Sequence, residues 1–229
     1  MSEQLVLDLP HRPALEADDF LVSACNAAAV RLIDAWPDWP GGVQVICGPA
    51  GCGKSHLANV WRLKSGATRL APERLAGPAP DVLHAVEAFV IEDLDRVSAD
   101  EHAVFHLLNS LREEGVSALL TAQTPPASWR ARLPDLVSRL RSIPVVTIGP
   151  PDDDLLQAVL LKQFADRQLN PEPHVIAFLV TRMERSMDAV RHLVAALDRA
   201  ALASGRKITR PMAAEVLQEL AAASGPDAV

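Results

Sequence analysis

The chain has 229 residues, and 49% of them are hydrophobic, which is enough for a core in one large domain or in a medium domain with a small one. Its net charge of −7 argues against duplex DNA as the main partner, because DNA-binding proteins usually carry a basic patch. The three cysteines form no C-x-x-C pair and favour reduced thiols in a cytoplasmic protein. No apolar run is long enough to span a membrane, and the N-terminus lacks a signal-peptide pattern.

Residues 1–19 are predicted to form an N-terminal tail, because prolines and a run of acidic residues interrupt any regular element. The tail begins with an apolar segment that contains Gln4, Leu5, Leu7 and Leu9. If this segment is extended, its three leucines point to the same side. Two interpretations remain open: an edge strand on the chain's own sheet, or a short peptide whose leucines enter a partner's pocket while Gln4 makes polar contacts.

Residues 20–149 alternate between helical and β-type patterns, which predicts an α/β domain. Short apolar strands separated by helices are typical of a parallel sheet that is covered on both faces. The predicted helices cover residues 24–35 and about 99–114, and the predicted strands cover residues 43–47, 88–91, 117–121 and 144–148.

Residues 150–229 change character after a Gly-Pro-Pro break and are predicted to form a small α-helical domain. Aspartates stand at the start of the first helix, where negative charge is favoured. The four predicted helices cover residues 152–168, 173–182, 187–203 and 211–222.

The segment 48–55 reads G-x-x-x-x-G-K-S and lies between a β-type run and a helical pattern. That context favours a phosphate-binding P-loop over a glycine-rich turn that binds nothing. Backbone N–H groups would surround phosphate oxygens, Lys54 would reach the β- and γ-phosphates, and Ser55 would ligate Mg²⁺. The residues predicted to hold the phosphates are Gly48, Pro49, Ala50, Gly51, Cys52, Gly53, Lys54, Ser55 and His56.

A second signal is the pair Glu92 and Asp93, which ends the buried-type strand 88–91. This position suits a Walker B element, in which one acid holds Mg²⁺, in part through water, and the next orients the attacking water. Asp95 is interpreted as surface charge. Gln123 follows another strand and would either sense the γ-phosphate or be an ordinary polar loop residue.

Arg139 stands just before the last predicted strand, at the expected edge of the α/β domain. An arginine in such a place can act in trans, where it stabilises the transition-state charge on a neighbour's nucleotide. The residues alone favour an ordinary surface arginine, because exposed arginines are common.

The order and spacing of these motifs over residues 20–222 resemble the AAA+ module of DnaA-related proteins, and most closely the Hda family of regulatory inactivators. Three segments carry the second resemblance. Residues 133–140 are similar to that family's finger segment, and residues 197–200 with 205–209 are similar to its lid. Residues 4–9 look like the tail motif by which such proteins bind the sliding clamp.

The resemblance implies an AAA+ nucleotide-binding domain over residues 20–149 and an α-helical lid over residues 150–229. It implies a cytoplasmic negative regulator of replication initiation, with Arg139 as an arginine finger that stimulates ATP hydrolysis by DnaA. The implied partners are DnaA, the DNA polymerase III β sliding clamp and, in a homo-oligomer, further copies of the chain, with no membrane. The implied cofactors are ADP or ATP with Mg²⁺. We expect no sequence-specific DNA binding, since no helix-turn-helix follows the lid.

The sequence departs from the family pattern at three places, which together favour weak or no ATPase activity of its own. Glu92 stands where the metal aspartate is usual, and Gln123 occupies a position that is often Asp or Asn. Asp188 stands at the place of the lid's nucleotide-sensing arginine and would repel phosphate, unless Arg191 substitutes. Two alternatives remain: an ATPase that turns over through its own oligomer, and an adaptor or helicase loader in replication.

Overall fold

The computed structural model describes residues 11–12, 20–71, 86–96 and 100–223. The predicted clamp-binding residues Gln4, Leu5, Leu7 and Leu9 lie outside the described residues. The chain divides into two compact units: one contains Ala24–Gly149, and the other contains residues 150–223 with Leu21–Ser23. None of the helices in the described part of the chain has the length and apolarity needed to cross a lipid bilayer.

The elements of the first unit are α1 (Ala27–Asp34), β3 (Val43–Cys47), α2 (Lys54–Ser65), β4 (Thr68–Arg69), β5 (Ala88–Ile91), α3 (Glu101–Glu113), β6 (Ser117–Ala122), α4 (Pro134–Ser142) and β7 (Val145–Thr147). Its five strands form one sheet of order β4-β5-β6-β3-β7, in which every pair of neighbours is parallel. This sheet confirms the predicted α/β class. Two shorter strands, β1 (His11–Arg12) and β2 (Phe20–Leu21), form a separate two-stranded sheet.

The central strands are apolar because both of their faces are covered. All five residues of β3 and all four of β5 are buried, so β5 is a continuous apolar run, and β3 is apolar except for Gln44, whose Nε2 donates to the carbonyl of Pro40 at 2.9 Å. Helix α3 places Val104, Leu107 and Leu111 in the same core, which also includes Leu136 and Leu140 of α4. The predicted bounds of β3 and β5 are confirmed.

Two elements of this unit were missed by the sequence interpretation. Strand β4 has only two residues, both exposed, so it carries no apolar signal. Helix α4 had two signals: Pro134 at its first turn, where proline is favoured, and Leu136 and Leu140 four residues apart. Helix α1 begins at Ala27, three residues later than predicted, after a turn at residues 24–26.

Three tryptophans pack together beside helix α2. The ring of Trp61, on α2, is fully buried. It stacks on Trp39 with ring centroids 4.9 Å apart and meets Trp36 edge-on at 6.2 Å. Trp39 Nε1 donates to the carbonyl of Leu32 at 2.7 Å, which ties the cluster to the end of α1.

The second unit contains four helices, α5 (Asp153–Asp166), α6 (Pro173–Val180), α7 (Met187–Ser204) and α8 (Arg210–Ala223). Their buried core includes Leu156, Phe164, Leu179, Leu193 and Leu197. Side chains cap two of the helices: Asp152 accepts from Leu155 N at 2.9 Å, and Ser186 accepts from Ala189 N at 3.0 Å. The predicted four-helix domain is therefore present, with bounds that differ by at most two residues.

Candidate nucleotide site

The sheet topology brings the predicted phosphate and metal residues to one edge. Strand β6 pairs with both β3 and β5, and the register aligns Cys47 with Ala122 and Ile91 with Leu120. The loops that follow β3, β5 and β6 therefore start side by side at the carboxyl end of the sheet, where ligands of open α/β folds bind. The P-loop, the two acids and Gln123 lie in these loops.

The P-loop has a backbone that only glycine adopts easily. Gly51 has φ 68° and Gly53 has φ 102°, both in the left-handed region. A Cβ at Gly48 would lie 2.5 Å from the carbonyl oxygen of Ile148 and 2.8 Å from Cys52 Sγ, so no side chain fits there. Helix α2 begins directly after this loop at Lys54, so the positive end of its dipole lies at the loop.

Lys54 holds its charge inside the loop. Its Nζ donates to the carbonyl oxygens of Gly48 and Pro49, each at 2.8 Å, and the side chain is buried. A buried ammonium group needs partners of opposite polarity, and two carbonyls supply them here. Phosphate oxygens are stronger acceptors, so the same group is suited to bind the phosphates of a nucleotide.

Cys52 lies inside the P-loop but is not set up as a reactive thiol. Its side chain is buried, and burial raises the pKa of the thiol above its ordinary value, although Lys54 acts in the opposite direction. The nucleophilic thiolate is therefore disfavoured at neutral pH. Cys52 therefore serves as a small side chain that packs next to Gly48.

Ser55 and Glu92 line one cavity of about 220 Å³ between α2 and the ends of β4 and β5. A hydroxyl and a carboxylate are the oxygen ligands that Mg²⁺ accepts, so these residues fit the metal that P-loop folds hold, which would neutralise phosphate charge there. Arg69 reaches the same carboxylate, with 3.1 Å between its Nη2 and Glu92 Oε1. Arg69 was missed because its two-residue strand gives no sequence signal.

Asp93 has its backbone fixed by the neighbouring strand. Its φ is 52°, an unusual value for a residue other than glycine, and its N–H donates to Thr121 Oγ1 at 3.0 Å. The next N–H, of Leu94, donates to the carbonyl of Thr121 at 3.1 Å. Two hydrogen bonds, both accepted by Thr121 of β6, thus hold the turn that carries the second acid.

Asp95 is not the free surface charge that the sequence suggested. Its Oδ2 accepts hydrogen bonds from the backbone N–H groups of Gln123 and Thr124, both at 2.9 Å, and from the Thr124 hydroxyl at 3.0 Å. It therefore fixes the backbone of the loop that carries Gln123. No local pattern could reveal this role, because Asp95 and the two amides are 28 and 29 residues apart in sequence.

Arg139 lies on α4, whose Leu136 and Leu140 are buried in the core. Its Nη2 donates to Asn109 Oδ1 on α3 at 2.7 Å, and the residue is half-buried. Arg141, two residues on, is exposed. The guanidinium of Arg139 is therefore anchored on one side to a neighbouring helix, whereas that of Arg141 stands at the surface.

The lid position that differs from the family pattern is paired within its own helix. Asp188 and Arg191, both at the start of α7, form an ion pair. Arg185, just before this helix, pairs with Asp153 at 2.5 Å and donates to the carbonyl of Pro151. The carboxylate of Asp188, at the position where the resemblance implies an arginine, is thus paired with Arg191.

The sheet order, the P-loop and the helical second unit define the chain as a protein with the AAA+ fold. Residues 152–217 match the family model described as "Hda, lid domain". Domain III of the replication initiation protein DnaA from Thermotoga maritima superposes with a TM-score of 0.74 at 18% identity, over 87% of this chain and 94% of that one. Residues 152–217 are thus similar to the lid domain of the Hda family, and the chain has the fold of DnaA domain III.

Two further solved structures have the same fold. AMPPCP-bound DnaA from Aquifex aeolicus gives a TM-score of 0.66 at 17% identity, over 77% of this chain and 62% of that one. A point variant of RuvB from Thermotoga maritima gives a TM-score of 0.67 at 14% identity, over 86% of this chain and 68% of that one. The predicted AAA+ architecture with an Hda-type lid is thus confirmed.

Proposed function

We propose that this chain is a cytoplasmic negative regulator of DNA replication initiation. With nucleotide bound and its tail tethered to the DNA polymerase III β sliding clamp on DNA, it contacts ATP-bound DnaA and stimulates hydrolysis of that ATP. Arg139 is the arginine finger that acts in trans. The proposal treats the chain as an activator of another protein's hydrolysis, with weak or no ATPase of its own.

The observation that carries this proposal is the setting of Arg139. An arginine finger must project from a rigid element and keep part of its guanidinium available for the partner's phosphates. Helix α4 is anchored in the core through Leu136 and Leu140, and Asn109 holds one guanidinium nitrogen of a half-buried residue. An arginine that only contributes surface charge does not need a partner that fixes the direction of its guanidinium. The match of residues 152–217 to the Hda lid adds independent support.

The nucleotide site supports the cofactor part of the proposal. Lys54 is buried in a complete P-loop, and Ser55 shares a cavity with Glu92. We propose ADP or ATP with Mg²⁺ as the ligand, bound by residues 48–56 with Glu92, Asp93 and Gln123. Bound nucleotide sets the working conformation, since the departures at Glu92 and Asp188 disfavour fast turnover.

The clamp part of the proposal rests on the tail sequence. Gln4, Leu5, Leu7 and Leu9 supply the polar contact and the leucines that an extended peptide places in a partner's pocket. Tethering to the clamp raises the effective concentration of the protein near DnaA, so the two bind more readily without any new contact between them.

The deciding experiment is single-turnover hydrolysis of labelled ATP preloaded on DnaA, with and without DNA-loaded clamp and this protein. We expect hydrolysis to rise only when clamp, DNA and the protein are all present. Absence of stimulation under every condition would overturn the proposal.

A second candidate is a self-oligomerising AAA+ ATPase, which the complete P-loop and the finger on the same unit favour. Steady-state ATPase of the protein alone separates the two. Turnover that rises steeply with protein concentration, with no effect on DnaA, would select the second candidate. An adaptor or helicase loader would show neither response.

A further inference from the structure

Glu92 forms an ion pair with Arg69 at the carboxyl edge of the sheet, and the acid is the enclosed partner. Its side chain is 14% exposed, whereas that of Arg69 is 68% exposed. The pair is set by the sheet: β4 and β5 are parallel, Arg69 aligns with Val90, and the N–H of Leu70 donates to the carbonyl of Val90 at 2.9 Å. The arginine therefore leaves the edge strand next to the point where β5 ends.

This contact involves the carboxylate that the P-loop fold uses for the metal. Ser55, Glu92 and Arg69 line the same cavity. A guanidinium group stays protonated at all ordinary pH values, so Arg69 supplies a permanent positive charge to the carboxylate. One of the two carboxylate oxygens is occupied by this contact, which leaves less negative charge for a hydrated cation.

We propose that Arg69 is a positioning residue that competes with Mg²⁺ for Glu92, so that nucleotide binding at the P-loop depends little on a divalent cation. The inference rests on nucleotide binding as part of the proposed function, but not on the clamp, on DnaA or on Arg139. Glutamate fits this arrangement, because its extra methylene carries the carboxylate farther from β5 than an aspartate would.

The test is equilibrium binding of fluorescently labelled ADP, measured in Mg²⁺ and again in EDTA. For the parent protein we expect the two dissociation constants to differ by only a few-fold. In Arg69→Gln the carboxylate of Glu92 is released from its ion pair. The ratio of the dissociation constant in EDTA to that in Mg²⁺ should then rise to about tenfold or more, equivalent to about 1.4 kcal/mol. In Arg69→Gln combined with Glu92→Gln, the ratio should fall back to the parent value.

Arg62→Gln is the matched control. Arg62 lines the same cavity, but its Nε and Nη2 donate to Asn59 Oδ1, so its loss should leave the ratio unchanged. Glu92→Asp is the second variant, because a shorter carboxylate withdraws from Arg69 and should raise the ratio without any change at the arginine. Thermal melting of each variant reports whether it folds.

The outcomes separate this inference from the proposed function. If the parent does not bind ADP, nucleotide binding fails, and the inference fails with it. If the parent binds ADP and neither Arg69→Gln nor Glu92→Asp changes the ratio, only the inference is wrong. A rise with Arg62→Gln equal to that with Arg69→Gln would also overturn it, since the effect would then come from the charge of the cavity in general.

Discussion

Asn109 Oδ1 accepts a hydrogen bond from Arg139 Nη2 at 2.7 Å and joins helix α3 to helix α4 across 30 residues of sequence. The amide oxygen is a neutral acceptor, so it orients the guanidinium without neutralising its charge. A carboxylate at the same place would form an ion pair and weaken the arginine as a ligand for phosphate. The pair thus combines a fixed direction with a full positive charge.

Arg139→Ala should abolish stimulation of DnaA while leaving the protein's other binding activities intact. A finger in trans changes the rate of phosphoryl transfer by about 10³ to 10⁵, because it meets charge that develops only in the transition state. Single-turnover hydrolysis on DnaA measures the loss. Arg139→Lys should also be poor, since a point charge cannot reproduce the planar fork.

Arg141→Ala is the control for this variant, because Arg141 lies on the same helix and is exposed. Its loss should cost much less stimulation. Equal losses for the two arginines would mean that general positive charge on α4, and not a finger, acts on DnaA.

Asn109→Ala should lower the stimulated rate by about tenfold or more, because a hydrogen bond to a charged group contributes roughly 1.5–3 kcal/mol. The substitution should lower the maximal stimulated rate. It should leave unchanged the concentration of the protein that gives half-maximal stimulation, because the orientation of Arg139 is lost but binding to DnaA is not. Asn109→Gln keeps the amide oxygen and should recover part of the rate. An Asn109→Ala protein with an unchanged rate would show that Arg139 needs no anchor.

Lys54→Ala should weaken the binding of labelled ADP by about 100-fold or more, since charge-assisted contacts to two phosphates are lost. Lys64→Ala is the control: Lys64 stands on the same helix, but its Nζ donates to the carbonyls of Ile33 and Asp34. Equilibrium titration compares the two variants. Similar affinities would mean that the P-loop is not where ADP binds.

Replacing Gln4, Leu5 and Leu7 with Ala should abolish binding to the sliding clamp, with a melting temperature close to that of the parent. The motif is predicted to act as a peptide outside the core, so its loss should barely change stability. A surface-binding assay with immobilised clamp and a thermal melt decide the matter. A sharp fall in melting temperature would instead identify the tail as part of the chain's own fold.

We expect Glu101 to make the stability of the fold near helix α4 depend on pH. Its carboxylate accepts from the N–H groups of Arg132 at 3.0 and 2.9 Å and of Leu133 at 2.8 Å, and these bonds lower its pKa from the ordinary value of 4.5. A depressed pKa stabilises the fold at every pH above the unfolded value, and this contribution disappears as the pH falls through the folded value.

Glu101→Gln should therefore melt at a lower temperature than the parent at pH 7, and the difference should shrink below about pH 4. Glu113→Gln, at the exposed end of the same helix, should show no such pattern. Thermal melts between about pH 3 and pH 7 measure both. A constant difference at all pH values would mean that the carboxylate's charge is not what the two N–H groups recognise.

The sequence predicted those elements whose structure depends on burial or backbone conformation within a short segment. Strands β3 and β5 are buried on both faces, so their apolar runs marked their bounds, and the glycines of the P-loop marked a backbone that other residues cannot adopt. Strand β4 is short and exposed, and no residue pattern distinguishes such a strand from a loop.

The contacts that orient the site could not be predicted, because each joins residues that are distant in sequence. Asp95 reaches the amides of Gln123 and Thr124 across 28 and 29 residues, and the N–H of Asp93 reaches Thr121 across 28. These distances close only when β5 and β6 pair. The sequence therefore predicted which residues stand at the site, but not which of their neighbours hold them.

The tryptophan cluster gives the protein an internal optical signal. Trp61 lies on α2, about two helical turns from Lys54, and three of the chain's four tryptophans belong to this cluster. The emission and near-ultraviolet circular dichroism of stacked indoles depend on their mutual geometry. A movement of α2 caused by phosphate at its N-terminus therefore changes the spectrum of the unlabelled protein. Trp129→Phe removes the fourth tryptophan, so the spectrum of this variant reports on the cluster beside α2 alone.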